Sequence, residues 1–396
     1  MSKSQVLFTD RKATSDYNML DKLEQIYRFL GLDDAIENGS KVMVKTHFGQ
    51  YGNTNYIRPA YVRKVVELVR ESGGIPFVAE TCGLGYGTAG IYGGRTTAVE
   101  YLGMALKNGY SPATVGAPMI MADGYWGTDV HTVEIDGEFV KEVDVAAALF
   151  DTDIVIMLTH AKGHGLSGIG GSLKNLGIGL VGKRGKAAMH HMGEVSIDPE
   201  KCLGPECGEC IEVCPPRCIT MDGETAVIDT AECISCGHCR SVCSNVVEAK
   251  AVKVKWRPNP EQSPRFVENA LGVVDSIGRD RFYYINLAID ISDKCDCWNV
   301  GAPLLVHDIG IFGSKDPVAV DQASLDAIND AEPNPESDAA DLECGEPKFA
   351  HVHECKDDDT GELLRLADIQ LSHAEKMGLG SREYELETLE KPESED

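Results

Sequence analysis

The chain has no run of about 18 or more uninterrupted apolar residues, which excludes a membrane-spanning helix. It also lacks a basic-then-apolar leader between Met1 and Asp10, so the expectation is a soluble, unexported, cytoplasmic protein. Positive charge is scarce: 37 Lys and Arg stand against 63 Asp and Glu, a formal net charge of -26. Nucleic acids are held mainly by clustered Lys and Arg, so neither nucleic acid nor an anionic membrane surface is expected as a partner. No P-loop spacing of glycines occurs, which leaves nucleotide binding without support.

Cysteine, in contrast, is abundant. Fourteen are more than an intracellular chain keeps unless metal holds many of them, and nine fall between Cys202 and Cys243. The first run reads Cys202, Cys207, Cys210, Cys214-Pro215 and the second reads Cys233, Cys236, Cys239, Cys243. Two-residue gaps let three successive thiolates wrap one cluster, while the fourth, three residues on, ligates the other. The spacing predicts two 4Fe-4S clusters, one on Cys202, Cys207, Cys210 and Cys243 and one on Cys233, Cys236, Cys239 and Cys214. The first run is irregular, with Leu203-Gly204-Pro205-Glu206 where two residues are usual, and Ser244 replaces a second proline. A gap of four then two also opens plant-type 2Fe-2S ferredoxins, and tandem cysteine pairs suit zinc ribbons. The Cys214-Pro215 ending and the regular second run favour the two-cluster arrangement, with Cys218 as a buried free thiol.

At 396 residues and 43% hydrophobic content the chain can hold two or three domains. Before the cysteines the pattern alternates: a strand at Lys41 to Thr46, a helix at Pro59 to Glu71, a strand at Ile75 to Ala79, a Gly-rich loop from Gly83 to Gly94, a helix from Thr96 to Lys107 and a strand at Ile154 to Leu158. After them, Ser263-Pro264 opens a helix, Tyr283 to Ile289 is a strand, and Asp316-Pro317 begins another helix to about Asn329. The expected fold is α/β, a mostly parallel sheet flanked by helices, with an α+β ferredoxin-like two-cluster module inserted. Residues 1–198 and 256–396 make the α/β domain and residues 199–255 the module.

Ligands of open α/β sheets bind beyond the carboxyl ends of strands. Two strands end in polar tips, one in Lys45-Thr46-His47 and one in Thr159-His160 followed by Lys162 and His164. The Gly-dense stretch from Gly163 to Gly185 adds Lys174, Asn175 and Lys183, with Lys186 just beyond, a set suited to a phosphate or carboxylate. His160, Lys162, His164 and Lys174 are the candidate catalytic groups; Lys45, His47, Asn175, His190 and His191 are candidates for substrate binding. In an extended Cys295-Asp296-Cys297 both sulfurs share a face and could reach one additional metal or cluster edge. Asp308 and Asp316, on either side of Gly310 to Gly313, read as turn and helix-cap groups.

The segments Lys45-Thr46-His47-Phe48-Gly49, His160-Ala161-Lys162-Gly163-His164, Gly170-Gly171-Ser172-Leu173-Lys174-Asn175, Cys295-Asp296-Cys297 and Ser314-Lys315-Asp316-Pro317-Val318-Ala319 resemble those of the iron–sulfur-centre proteins of a domain of unknown function. The similarity runs through nearly the whole chain to Leu371–Gly380, and it implies an inserted ferredoxin-type segment without naming a reaction. The expected function is an oxidoreductase that relays single electrons through two 4Fe-4S clusters to a small anionic molecule or an extra metal near His160 to His164, with a redox protein as partner and a homodimer left open. A non-catalytic electron-transfer subunit or redox sensor, and a metal or cluster delivery protein, are the alternatives.

Overall fold

A computed structural model describes residues 3–84, 94–257, 259–357 and 360–392. Its main sheet has eight strands: β1 (Ser4–Asp10), β2 (Lys41–Lys45), β3 (Ile75–Glu80), β4 (Met119–Met121), β5 (Ile154–His160), β6 (Phe282–Ala288), β7 (Gly310–Ser314) and β8 (Tyr384–Thr388). Their order across the sheet is β8-β1-β7-β6-β5-β2-β3-β4. The run from β6 through β5, β2 and β3 to β4 is parallel throughout, and only β7 runs against both its neighbours. Central parallel strands are covered on both faces, which is why β5 reads as an unbroken apolar run. Its alternate residues feed two cores: Val155 and Met157 on one face, Ile154, Ile156 and Leu158 on the other.

Helix α1 (Pro59–Glu71) buries Val62, Val65, Val66 and Val69 at helical spacing, and Pro59 opens it where a missing N–H costs nothing. Full burial of such side chains stabilises by about 1.5–3 kcal/mol each. Helices α2 (Ser172–Gly177), α3 (Lys183–His190), α4 (Asn259–Ile277) and α5 (Pro317–Asp330) follow in sequence. Asp316 caps α5 by accepting from the amides of Val318 and Ala319, as its place before a proline predicts.

Two elements depart from expectation. Helix α4 starts at Asn259, so Pro264 lies inside it and Asn259-Pro260 is the true opening; the apolar face of Phe266, Val267, Ala270, Leu271 and Val274 is buried. Gly310 to Gly313, left unassigned by the sequence pattern, belongs to β7, a fully buried strand. A Cβ on Gly310 would lie 2.0 Å from the Thr9 carbonyl oxygen, so glycine is required by the close approach of β1.

Between α3 and α4 the chain leaves the sheet along an antiparallel ribbon, His191–Ile197 paired with Val252–Trp256. Beyond it lie a hairpin, Ile219–Asp222 with Thr225–Ile228, and two short helices, Glu209–Glu212 and His238–Asn245, each embedded in one cysteine run. Among the described residues no helix is long and apolar enough to cross a membrane.

Candidate functional site

Strands β2 and β5 are neighbours, so their carboxyl ends place Lys45 and His160 side by side. Past the end of β5, residues Lys162–His164 pair with Gly168–Gly170 and fold back over the sheet. Helix α2 then carries Lys174 and Asn175 across the same end, and the loop after β6 brings in Cys295, Asp296 and Cys297. Together they enclose a cavity of about 480 Å³, lined by His47, His160, Lys162, His164, Lys174 and Asn175. Lys186, Met189 and His190 of α3 form part of its wall, with Arg95, Cys297 and Trp298.

Asp296, 1% exposed, is the electrostatic centre. Lys162 Nζ lies 2.7 Å from its Oδ1, while His160 Nδ1 and His47 Nδ1 lie 3.4 and 3.9 Å from its Oδ2. Burial works against the carboxylate, but Lys162 and His160 outweigh it and hold the group well below the usual carboxylate range. His160 Nε2 donates to the Ile289 carbonyl at 2.7 Å, which fixes the ring. Burial pulls the His47 pKa down to about 4 against the pull of Asp296.

Lys45 does not reach the cavity. It is fully buried and ends on Glu80 at 2.7 Å and Asn175 Oδ1 at 2.8 Å, and Asn175 Nδ2 donates to Thr159. Burial lowers the Lys45 pKa and Glu80 opposes the shift. Lys45 thus supports Asn175 from behind.

Cys295-Asp296-Cys297 is not extended. Trp298 N donates to the Cys295 carbonyl at 2.9 Å and closes a tight turn, and Cys297 N donates to Cys295 Sγ at 3.3 Å. The two sulfurs still approach, because a turn of this kind gathers its side chains around one amide. Lys174 Nζ lies 3.0 Å from Cys295 Sγ. Burial raises the Cys295 pKa, yet Cys297, Lys174 and Lys162 overcome it and keep the group well below the usual thiol range; Cys297 is pushed the other way by Cys295 and by burial. The donor atoms of His164, Cys295 and Cys297 lie within 4.8 Å of one another.

Three cavity groups escaped the sequence reading. Glu80 ends β3 as Lys45 ends β2, so the strand-tip rule would have found it. Asp296 gains its role from Lys162 and His160, which lie more than a hundred residues away in the chain. Arg95 carries no sequence signal; it donates to the Cys297 carbonyl at 2.8 Å and contacts His47 Nε2 at 3.3 Å, while its Nε has no hydrogen-bond partner. His190 lines the cavity, whereas the His191 side chain and most of the Gly83 to Gly94 loop lie outside the described residues.

In the module the thiols group crosswise. Burial pushes Cys210 up to about 11, and the thiols acting on it are Cys243, Cys202 and Cys207. Cys239 is likewise raised by burial, with Cys236, Cys233 and Cys214 around it. The fourth cysteine of each run therefore stands with the other run's three. Cys218 is buried, its Sγ 3.5 Å from that of Cys214, at the edge of the second group. Four thiols facing one interior, with no disulfide, are a donor set that fits an iron–sulfur cluster.

The domain of unknown function DUF362 matches residues 42–326. The chain is similar to a ferredoxin of Methanothermococcus thermolithotrophicus, 38% identical over 61 residues that make up 15% of this chain and 97% of that protein. It is also similar to a ferredoxin 7Fe of Hydrogenibacillus schlegelii, 37% identical over 60 residues, 15% of this chain and 77% of that one. Among solved structures, the lactate racemase apoprotein of Thermoanaerobacterium thermosaccharolyticum superposes with a TM-score of 0.38 and 11% identity, over 80% of this chain and 55% of that chain. The chain spans about half the length of the solved structures it matches.

Proposed function

The chain belongs to the DUF362 family and is an iron–sulfur protein of ferredoxin type, and from that premise we propose that it is an oxidoreductase acting on a small anionic substrate in the cavity at the strand ends. Cys202, Cys207, Cys210 and Cys243 would hold one 4Fe-4S cluster, and Cys233, Cys236, Cys239 and Cys214 the other. Such clusters supply single electrons at potentials set by burial, net charge and hydrogen bonds to sulfur.

The observation that carries this reading is helix α3. Its residues Arg184, Ala187 and Ala188 share a hollow with Cys233 of the second thiol group, while Lys186, Met189 and His190 form cavity wall. Successive residues of a helix rise by about 1.5 Å, so a single turn serves both the surroundings of Cys233 and the substrate space. Module and cavity are thus adjacent through a single short element.

The cavity's own residues divide the remaining work. Lys162 is neutralised by Asp296, and Lys174 by Cys295. Arg95 lines the cavity, has no carboxylate partner among the described residues and keeps a buried Nε without a hydrogen-bond partner, so it is the primary anion-binding group. Lys186, anchored on Thr81 Oγ1 at 2.7 Å with Asp123 at 3.8 Å, supports it. His160, held between Ile289 and Asp296, transfers the proton that accompanies electron transfer. A volume of about 480 Å³ admits a small metabolite and no polymer. The redox partner docks on the module, where Leu203, 61% exposed, projects from the irregular first gap.

The test uses full-length protein purified anaerobically and reduced chemically, followed by its visible absorbance as small carboxylates and phosphate esters are added. One anion class should re-oxidise it, and Arg95→Met or Lys186→Met should slow that step at least tenfold, about 1.4 kcal/mol, with iron content unchanged. Equal rates in wild type and both variants for every anion would sink the substrate site.

A further inference from the structure

We propose that His164, Cys295 and Cys297 form a three-ligand site for a soft divalent ion of the zinc class, with a fourth position open to the cavity. The inference goes beyond the electron relay and does not depend on it, because none of the three residues belongs to either thiol group of the module. Their donor atoms lie within 4.8 Å of one another. Tetrahedral zinc, with Zn–S about 2.3 Å and Zn–N about 2.0–2.1 Å, sets its ligand atoms roughly 3.5–3.8 Å apart, so side-chain adjustment alone closes the site.

Each donor is prepared by its surroundings. Ser167 Oγ donates to the Ile169 carbonyl at 2.9 Å, which leaves it to accept from His164 Nδ1 at 2.7 Å. With the hydrogen on Nδ1, Nε2 is the donor nitrogen, and metal-bound histidines hold their second N–H in this way. His164 reaches the cysteines because Gly163 packs directly on the loop after β6. Its amide donates to the Ser292 carbonyl at 2.8 Å, and a Cβ there would lie 2.7 Å from the Asp293 carbonyl oxygen.

The cysteine turn is clamped as well, by Gln50 N on the Asp296 carbonyl at 2.7 Å and Arg95 on the Cys297 carbonyl at 2.8 Å. The Asp296 side chain is engaged by Lys162, so the ligand set is one nitrogen and two sulfurs. Lys174, 3.0 Å from Cys295 Sγ, stands outside that set as a hydrogen-bond donor to sulfur. His164 and Cys297 both line the cavity, so the vacant position faces it. Two cysteines, one histidine and an open position is a ligand pattern of catalytic zinc, in which the ion polarises a substrate oxygen.

The test titrates the full-length, anaerobically purified protein, its iron retained, with Co(II) against a competing chelator. One equivalent should bind with a thiolate-to-cobalt charge-transfer band that Zn(II) abolishes. Cys295→Ser and Cys297→Ser should lose the band while keeping wild-type iron and sulfide. Ser167→Ala keeps all three ligands and should weaken cobalt binding about 10–100-fold. A wild-type protein that shows no such band, or a band of full strength in either cysteine variant, overturns the site. Should the cysteine variants fold poorly, wild type and Ser167→Ala decide alone: unchanged affinity in Ser167→Ala overturns the assigned histidine geometry.

Discussion

Two parts of this molecule gather thiols, and they treat them in opposite ways. In the inserted segment, Cys210 and Cys239 are pushed up by burial and by neighbouring cysteines, against the pull of backbone amides. At the strand ends, Cys295 is drawn down by Cys297, Lys174 and Lys162 despite burial. The first arrangement offers the thiolates only backbone amides and, at Cys236, Lys183, too little to outweigh burial until a positively charged guest arrives. The second has a cation built in. The same residue type thus waits uncharged for its guest in one region, while in the other Cys295 is held ready as a thiolate beside Lys174.

That contrast can be broken most sharply through the crosswise pairing. Cys243→Ser should remove the cluster whose other ligands are in the first run, about half of the iron, and adding Cys202→Ser should remove no more. Cys233→Ser combined with Cys243→Ser should remove both clusters. Iron and labile sulfide counts decide; a double variant of Cys202 and Cys243 that loses nearly all iron would dismantle the pairing. At the strand ends the equivalent cut is Asp296→Asn, which leaves Lys162 buried without its partner. Removing one member of a buried ion pair costs about 3–5 kcal/mol, so the denaturant midpoint of the α/β body should fall markedly while iron content holds. A loss below about 1 kcal/mol would mean that the pair behaves as a solvated one.

The smallest effect concerns His47. Its folded pKa of about 4 lies below the ordinary 6.5, so between those values the unfolded chain takes up a proton that the folded site refuses. Stability is therefore fully present above pH 6.5 and declines as pH falls toward 4. His47→Gln should flatten that part of a melting-temperature profile; an unaltered slope would assign the pH sensitivity to other groups.

Sequence patterns resolve these regions unequally for a physical reason. The cysteine runs carry their signal in short spacings, so a cysteine-rich iron–sulfur segment was legible from the sequence alone. The convergence of His47, His160, Lys162, His164, Lys174 and Asn175 was legible too, because strand tips of one parallel sheet point to one end. Asp296 and Arg95 were not, since their importance comes from partners more than a hundred residues away. Strand β7 was hidden by its glycines, which weaken the strand pattern: Gly310 answers the close approach of β1, and Gly313 that of Ile26 and Leu30. The turn at Cys295 likewise depends on Arg95 and Gln50, contacts that no local pattern encodes.

The ribbon of His191–Ile197 and Val252–Trp256 has a consequence for ancestry. Because His191 pairs with Trp256, the chain departs from the body and returns to it at one point. From the standpoint of the eight-stranded sheet the whole excursion is a single long hairpin loop, and loops of that kind tolerate insertion and excision. A short turn joining the two ribbon strands would therefore leave the strand order of the sheet untouched, so the cysteine-bearing segment can be lost or exchanged without rebuilding the body.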